Sequence, residues 1–124
     1  MNQEIKARWV AALRSGEYRQ IKGWLADTKN GRCCLGVLCD VAAEDGIIEW
    51  QTSGINKKAV GADSGSSYTL PHDVMEWAAL EDDDPESTET NTEEGGTMSL
   101  SALNDSSYLQ FSFDRIADVI ERDL

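Results

Sequence analysis

A chain of 124 residues with four tryptophans and 40% hydrophobic residues can bury one modest core but not two, and is too apolar for a disordered polymer. Its net charge of -12 argues against general nucleic-acid binding, and its longest apolar run is far shorter than the ~20 residues a membrane-spanning helix needs. Three cysteines cannot all pair within one chain, and the opening Met1-Asn2-Gln3-Glu4-Ile5-Lys6 lacks the basic-then-apolar order of a secretory signal, so a reduced, cytoplasmic protein is expected.

In chain order, Ile5, Trp9, Ala12 and Leu13 recur at helical spacing, which predicts a helix over 3–14 ended by Ser15-Gly16. Residues 17–25 mix aromatic and basic side chains between glycines and fit neither helix nor strand periodicity; an irregular or short extended segment is expected, then a turn at Asn30-Gly31. The run from Cys33 or Cys34 to Asp45 is the most apolar stretch and predicts a central buried helix, with Leu35, Leu38, Val41 and Ala42 on one face. Gly36 costs about 1 kcal/mol relative to alanine inside a helix. Its presence therefore points to a close approach, by another helix or backbone or by a ligand.

Ile47 to Trp50 reads as a strand and Ser67 to Leu70 as its partner, a small antiparallel hairpin with a long mobile loop over 51–66. Pro71 introduces a third helix carrying Val74, Trp77 and Ala78. Residues 81–96 hold no apolar side chain and predict a disordered acidic loop. A short helical turn over 98–105 follows, then a last helix capped by Ser112, with Phe113, Ile116, Ala117 and Ile120 facing the core. The expectation is one α+β domain over 1–124, with about four helices around the cysteine-rich one.

Five stretches, taken together in this order, carry a resemblance: Ala12 to Gln20, Cys33-Cys34-Leu35-Gly36-Val37-Leu38-Cys39-Asp40, Leu70-Pro71 with Val74 and Trp77, Leu103-Asn104-Asp105, and Phe113 with Ile116-Ala117-Asp118 and Ile120-Glu121. The pattern resembles a widespread group of small phage and prophage proteins. That resemblance implies an accessory protein of a mobile element, acting in host takeover or counter-defence in the cytoplasm of a bacterial host, and supplies no catalytic motif.

Charge is laid out unevenly. Residues 1–32 carry seven basic and three acidic side chains, whereas residues 81–94 carry eight acidic and no basic ones. Arg14, Tyr18, Arg19, Lys22 and Trp24, with Arg8 and Trp9, are the ingredients of a nucleotide site, cations for phosphate beside rings for stacking; equally, the tryptophans are core and the cations a solvated face. Asn104 and Asp105 end a helical turn, or hydrogen-bond a ribose or amide. Asp82, Asp83, Asp84 and Glu86, with Glu81, Glu89, Glu93 and Glu94, either imitate a phosphate backbone toward a nucleic-acid-binding host protein or simply solubilise.

Cys34 at a helix start would suit a nucleophile if His72, the one histidine, served as its base; otherwise the cysteines are small core hydrophobes. The adjacent Cys33-Cys34 and the same-helix Cys39 do not match zinc-ligand spacing, so neither a metal nor a cofactor is expected. With no base, metal set or phosphate loop legible, a stoichiometric binder of a host protein is the leading expectation. A nucleotide sponge comes second and a cysteine hydrolase third; a homo-oligomer fits any of these.

Overall fold

The computed structural model describes residues 1–90 and 96–124. Helix α1 (Gln3–Arg14) starts where Asn2 turns its side-chain oxygen onto the Ile5 amide at 3.0 Å, and it buries Ile5, Trp9, Val10 and Leu13. Trp9 is wholly enclosed and donates its indole N–H to Cys34 O at 2.9 Å, which places it in the core and not in a stacking site.

The segment after α1 threads into three short strands, β1 (Arg19–Gln20), β2 (Ala26–Asp27) and β3 (Gly31–Arg32). Strand β1 runs parallel to β3, which pairs antiparallel with β2. Helix α2 (Cys34–Glu44) then crosses the molecule with eight of its eleven residues buried, as its composition requires. Gly36 meets a backbone that is not helical: a Cβ there would lie 1.9 Å from the carbonyl oxygen of Leu25.

Strand β4 (Ile48–Ser53) pairs over its whole length with β5 (Asn56–Gly61). The expected partner at 67–70 and the expected long loop are thus corrected. The partner lies inside residues 51–66, joined by the two-residue turn Gly54-Ile55, where Gly54 at φ 66° takes the left-handed conformation such hairpins need. Strand β5 escapes the strand pattern because its inward positions are Lys57, Ala59 and Gly61, and only Ala59 is a buried apolar residue. Its far edge holds β2 at one end and β6 (Gly65–Ser66) at the other, giving the order β1-β3-β2-β5-β4.

Helix α3 (His72–Ala78) starts after Pro71. Next comes a ribbon of β7 (Glu86–Thr90) and β8 (Thr97–Ser99), followed by α4 (Leu100–Asp105) and α5 (Phe113–Asp123). The described residues therefore form an α+β domain with five helices, four of them set around the cysteine-rich α2 as expected. Helix α5 packs along α1, with Ile116, Ala117 and Ile120 enclosed; truncating a fully buried isoleucine of this kind costs about 2–5 kcal/mol.

The ribbon corrects the expectation of a disordered loop over 81–96 for residues 86–90, and that of a helical turn from 98 for residues 98–99. Its own composition would not order it, but α5 does. Asp123 accepts the Thr88 N–H at 2.8 Å and its hydroxyl, and Arg122 reaches Glu89 at 3.0 Å. The buried Ser87 hydroxyl donates to Met98 O across the ribbon at 2.7 Å. Glu93 and Glu94, part of the expected acidic loop, lie outside the described residues.

Candidate interaction surface

Residues 21–25 connect β1 to β2 and are fixed from below, together with Gln20, by one carboxamide. Asn104, 2% exposed, accepts from the Cys34 amide at 3.1 Å and from Gln20 Nε2 at 3.0 Å, and donates to Ile21 O at 2.8 Å and Asp105 Oδ1 at 2.9 Å. Those four bonds exhaust a carboxamide. Asn104 therefore has no valence left for a ribose or amide ligand, and its work is to hold the start of α2 against the 20–23 segment. Asp105 is exposed but receives the Gly23 N–H at 3.2 Å. Gly23, at φ 81°, turns the chain so that Lys22 and Trp24 emerge on the surface.

Trp24 stacks on Tyr68, ring centroids 4.7 Å apart, and Tyr68 is 57% exposed. Ile55, at the tip of the β4–β5 hairpin and 78% exposed, lines the same cleft of about 350 Å³ as Trp24, Lys22 and Lys29. A second cleft, about 330 Å³, opens on the other side of Lys22 against Phe111 and Ser112. Lys22 and Lys29 carry no ion pair among the described residues. A stacked aromatic pair, half-buried Trp24 under exposed Tyr68, and an aliphatic tip, rimmed by lysines, make a surface suited to docking.

The other expected nucleotide residues do not join it. Arg14 lies on α1 and forks onto Glu121 at 3.0 Å and Asp118 at 2.6 Å of α5, which holds its guanidinium charged and Glu121 below its ordinary value. Arg19 pairs with Asp27 on the outer face of the sheet, over Gly31. Burial opposes the charge on Asp27 but is outweighed by the Lys29 and Gly31 amides and by Arg19, leaving its carboxyl below the usual range. Tyr18 is half-buried beside Asp40, and burial followed by that carboxylate pushes its phenol up to about 12.

Sequence reasoning missed the centre that Tyr18 touches. On the inner face of the sheet Arg32, with a side chain 7% exposed, brings Nε to 3.2 Å from Asp40 Oδ2 of α2, an ion pair without hydrogen-bond alignment. Trp50 donates its indole N–H to the other oxygen of Asp40 at 2.6 Å, and the Arg32 guanidinium lies 5.0 Å from the centroid of the Trp50 ring. The only local signal was a charged Asp40 inside an apolar run; its partners come from β3 and β4.

The cysteines are core. Cys33 is the N-cap of α2, its sulfur 3.4 Å from the Gly36 amide, and burial raises its thiol to about 11. Cys34 and Cys39 have no exposed surface and burial raises both well above the ordinary thiol value. The Cys34 thiol faces Leu100 O, while His72 is exposed on α3 and bonded to Glu76, so the pair has neither the access nor the pairing a thiolate nucleophile requires. Among the described residues no group of three or more metal-ligating side chains is gathered, and no helix is long and apolar enough to cross a membrane.

The acidic quartet divides. Asp84 accepts the Ser101 N–H at 3.0 Å and the Ser101 hydroxyl, holding the first turn of α4. Asp82, Asp83 and Glu86 are exposed, with Glu86 accepting from the Thr97 hydroxyl at 3.1 Å.

The described residues thus form an α+β domain with enclosed thiols, ion-paired Arg14, Arg19 and Arg32, and an aromatic–basic surface around Trp24 and Tyr68. The chain belongs to the family described as a domain of unknown function, DUF8296, whose model matches residues 1–124. No curated protein and no solved structure matches it.

Proposed function

We propose that this protein is a stoichiometric binder that captures and neutralises a host protein, in the manner expected of the small phage accessory proteins it resembles. One observation carries the reading: the half-buried Trp24 stacks on the exposed Tyr68, with exposed Ile55, beside Lys22 and Lys29, while Arg14, Arg19 and Asn104 are committed to partners within the chain. Tryptophan and tyrosine anchors of this kind supply most of the affinity in protein interfaces. Asp82, Asp83 and Glu86 give a second, acidic contact for a basic partner. Deleting the acidic segment would unseat α4 through Asp84, so charge-neutral variants are the proper probe.

Native mass spectrometry of the protein purified from its bacterial host is the test. A co-purifying host protein, lost on Trp24→Ser with Tyr68→Ser while the circular dichroism spectrum is unchanged, supports the reading; retention of the partner by that variant overturns the aromatic surface as the contact. Loss on Asp82→Asn, Asp83→Asn and Glu86→Gln instead moves the contact to the acidic segment. The Lys22–Trp24–Lys29 cleft favours one second reading, a nucleotide ligand, and a small bound mass released by Lys22→Ala and Trp24→Ser would replace the first with it.

A further inference from the structure

Strand β4 is a long edge on which one charged residue, Glu49, is the single device against further pairing. Natural edges are kept short or blocked by lysine, proline or a bulge. The opposite edge of the sheet, β1, has only two residues, whereas β4 has six, in unbroken register with β5 and with neither proline nor lysine.

The bonding of β5 fixes which groups of β4 face outward. On the far edge of β5, Ile55 O accepts from Thr28 and the Gly61 N–H donates to Ser64 O, so odd-numbered residues of β5 bond away from β4 and even-numbered ones bond toward it. Asn56, Lys58 and Val60 lie opposite Ser53, Gln51 and Glu49, which therefore use their backbone groups on β5. The N–H and C=O groups of Trp50 and Thr52 point away from the sheet, and among the described residues they have no backbone partner.

We propose that this edge pairs antiparallel with the same edge of a second copy, centred on Trp50, to form a two-fold dimer with a continuous sheet. The sequence of the strand is self-complementary in that register. Trp50 falls opposite Trp50 of the second copy, Ile48 opposite Thr52, and Glu49 opposite the uncharged Gln51, so no like charges lie directly opposite across the junction. In each copy, pairing takes the outward N–H and C=O groups of Trp50 and Thr52 out of water into hydrogen bonds, and it covers the half-buried indole of Trp50. Two chains each of charge -12 repel at long range, so added salt strengthens the association.

Sedimentation velocity over a range of protein and salt concentrations tests this. A species of twice the 13.7 kDa chain mass, favoured by salt, is expected. Thr52→Pro removes an outward N–H without touching the β5 ladder and abolishes the dimer. Gln51→Glu sets two pairs of carboxylates face to face and weakens association about tenfold, while the chain's own Lys58, opposite residue 51, keeps the monomer folded. Adding Glu49→Lys to Gln51→Glu restores association. A protein that stays monomeric at every concentration, or a dimer indifferent to Gln51→Glu and to Thr52→Pro, overturns the proposal. So does a monomer whose edge is taken by an extended segment of another protein.

Discussion

The two halves of α2 are anchored by opposite chemistry. At its start the groups are neutral: the fully bonded Asn104 carboxamide, the Cys33 sulfur accepting from Gly36 and the Leu25 carbonyl accepting from Cys33. Further along, Asp40 is held by a guanidinium, an indole N–H and a neighbouring phenol. A satisfied neutral network fixes geometry whatever the pH, whereas a sheltered ion pair is firm only while both charges remain. The difference predicts how each half fails.

The largest effect belongs to the charged half. Asp40→Ala leaves Arg32 enclosed without a counter-charge and should cost about 3–5 kcal/mol, read from urea unfolding. Combining Arg32→Met with Asp40→Asn, which spares an acceptor for Trp50, should recover most of that loss; no recovery would mean the pair is not the anchor. At the neutral end, Asn104→Ala strands the Cys34 amide and the Ile21 carbonyl, and a loss of roughly 3 kcal/mol follows from about 1–3 kcal/mol per unsatisfied group. Wild-type stability in this variant would show that water replaces the carboxamide.

The third prediction concerns pH and is smaller near neutrality. The enclosed thiols have values raised above the ordinary 9.0, Cys33 to about 11. Unfolded thiols ionise first, so the neutral thiols contribute full stability below pH 9.0, and it is lost as pH rises through about 11. Asp45, Glu121 and Asp123 run the other way. Hydrogen bonds from Arg8, Arg14 and Arg122 respectively hold them below the ordinary carboxylate values, so they stabilise above those values and the benefit fades as acid protonates them. Denaturation midpoints should form a plateau with an acid and an alkaline shoulder, and Cys33→Ala should reduce the alkaline one.

The helices were legible because of their periodic apolar faces and marked ends, Ser15-Gly16 and Ser112 among them. Strand β5 was hidden because a central strand made of Asn, Lys, Ala, Val and Gly contributes little apolar area of its own. The β7–β8 ribbon was hidden because Thr88 and Glu89 take their order from α5, far away in sequence. At the candidate surface Lys22 and Trp24 were legible as neighbours in sequence, while Tyr68 and Ile55 come from elsewhere in the chain. The Arg32–Asp40 pair is likewise non-local: charge can be counted along a sequence, but its pairing is decided by topology.

Gly36 has a consequence beyond close packing. A helix lying on a sheet is free in principle to slip by a residue, rotating about 100° and advancing about 1.5 Å. Here the Leu25 carbonyl occupies the space where any other residue of α2 would present a Cβ. The contact acts as a detent: α2 seats at one phase only, the one that turns Asp40, four residues on and along the same side, toward Arg32 and Trp50. The aim of the charged centre is set one turn before it, by the position along the helix that has no side chain.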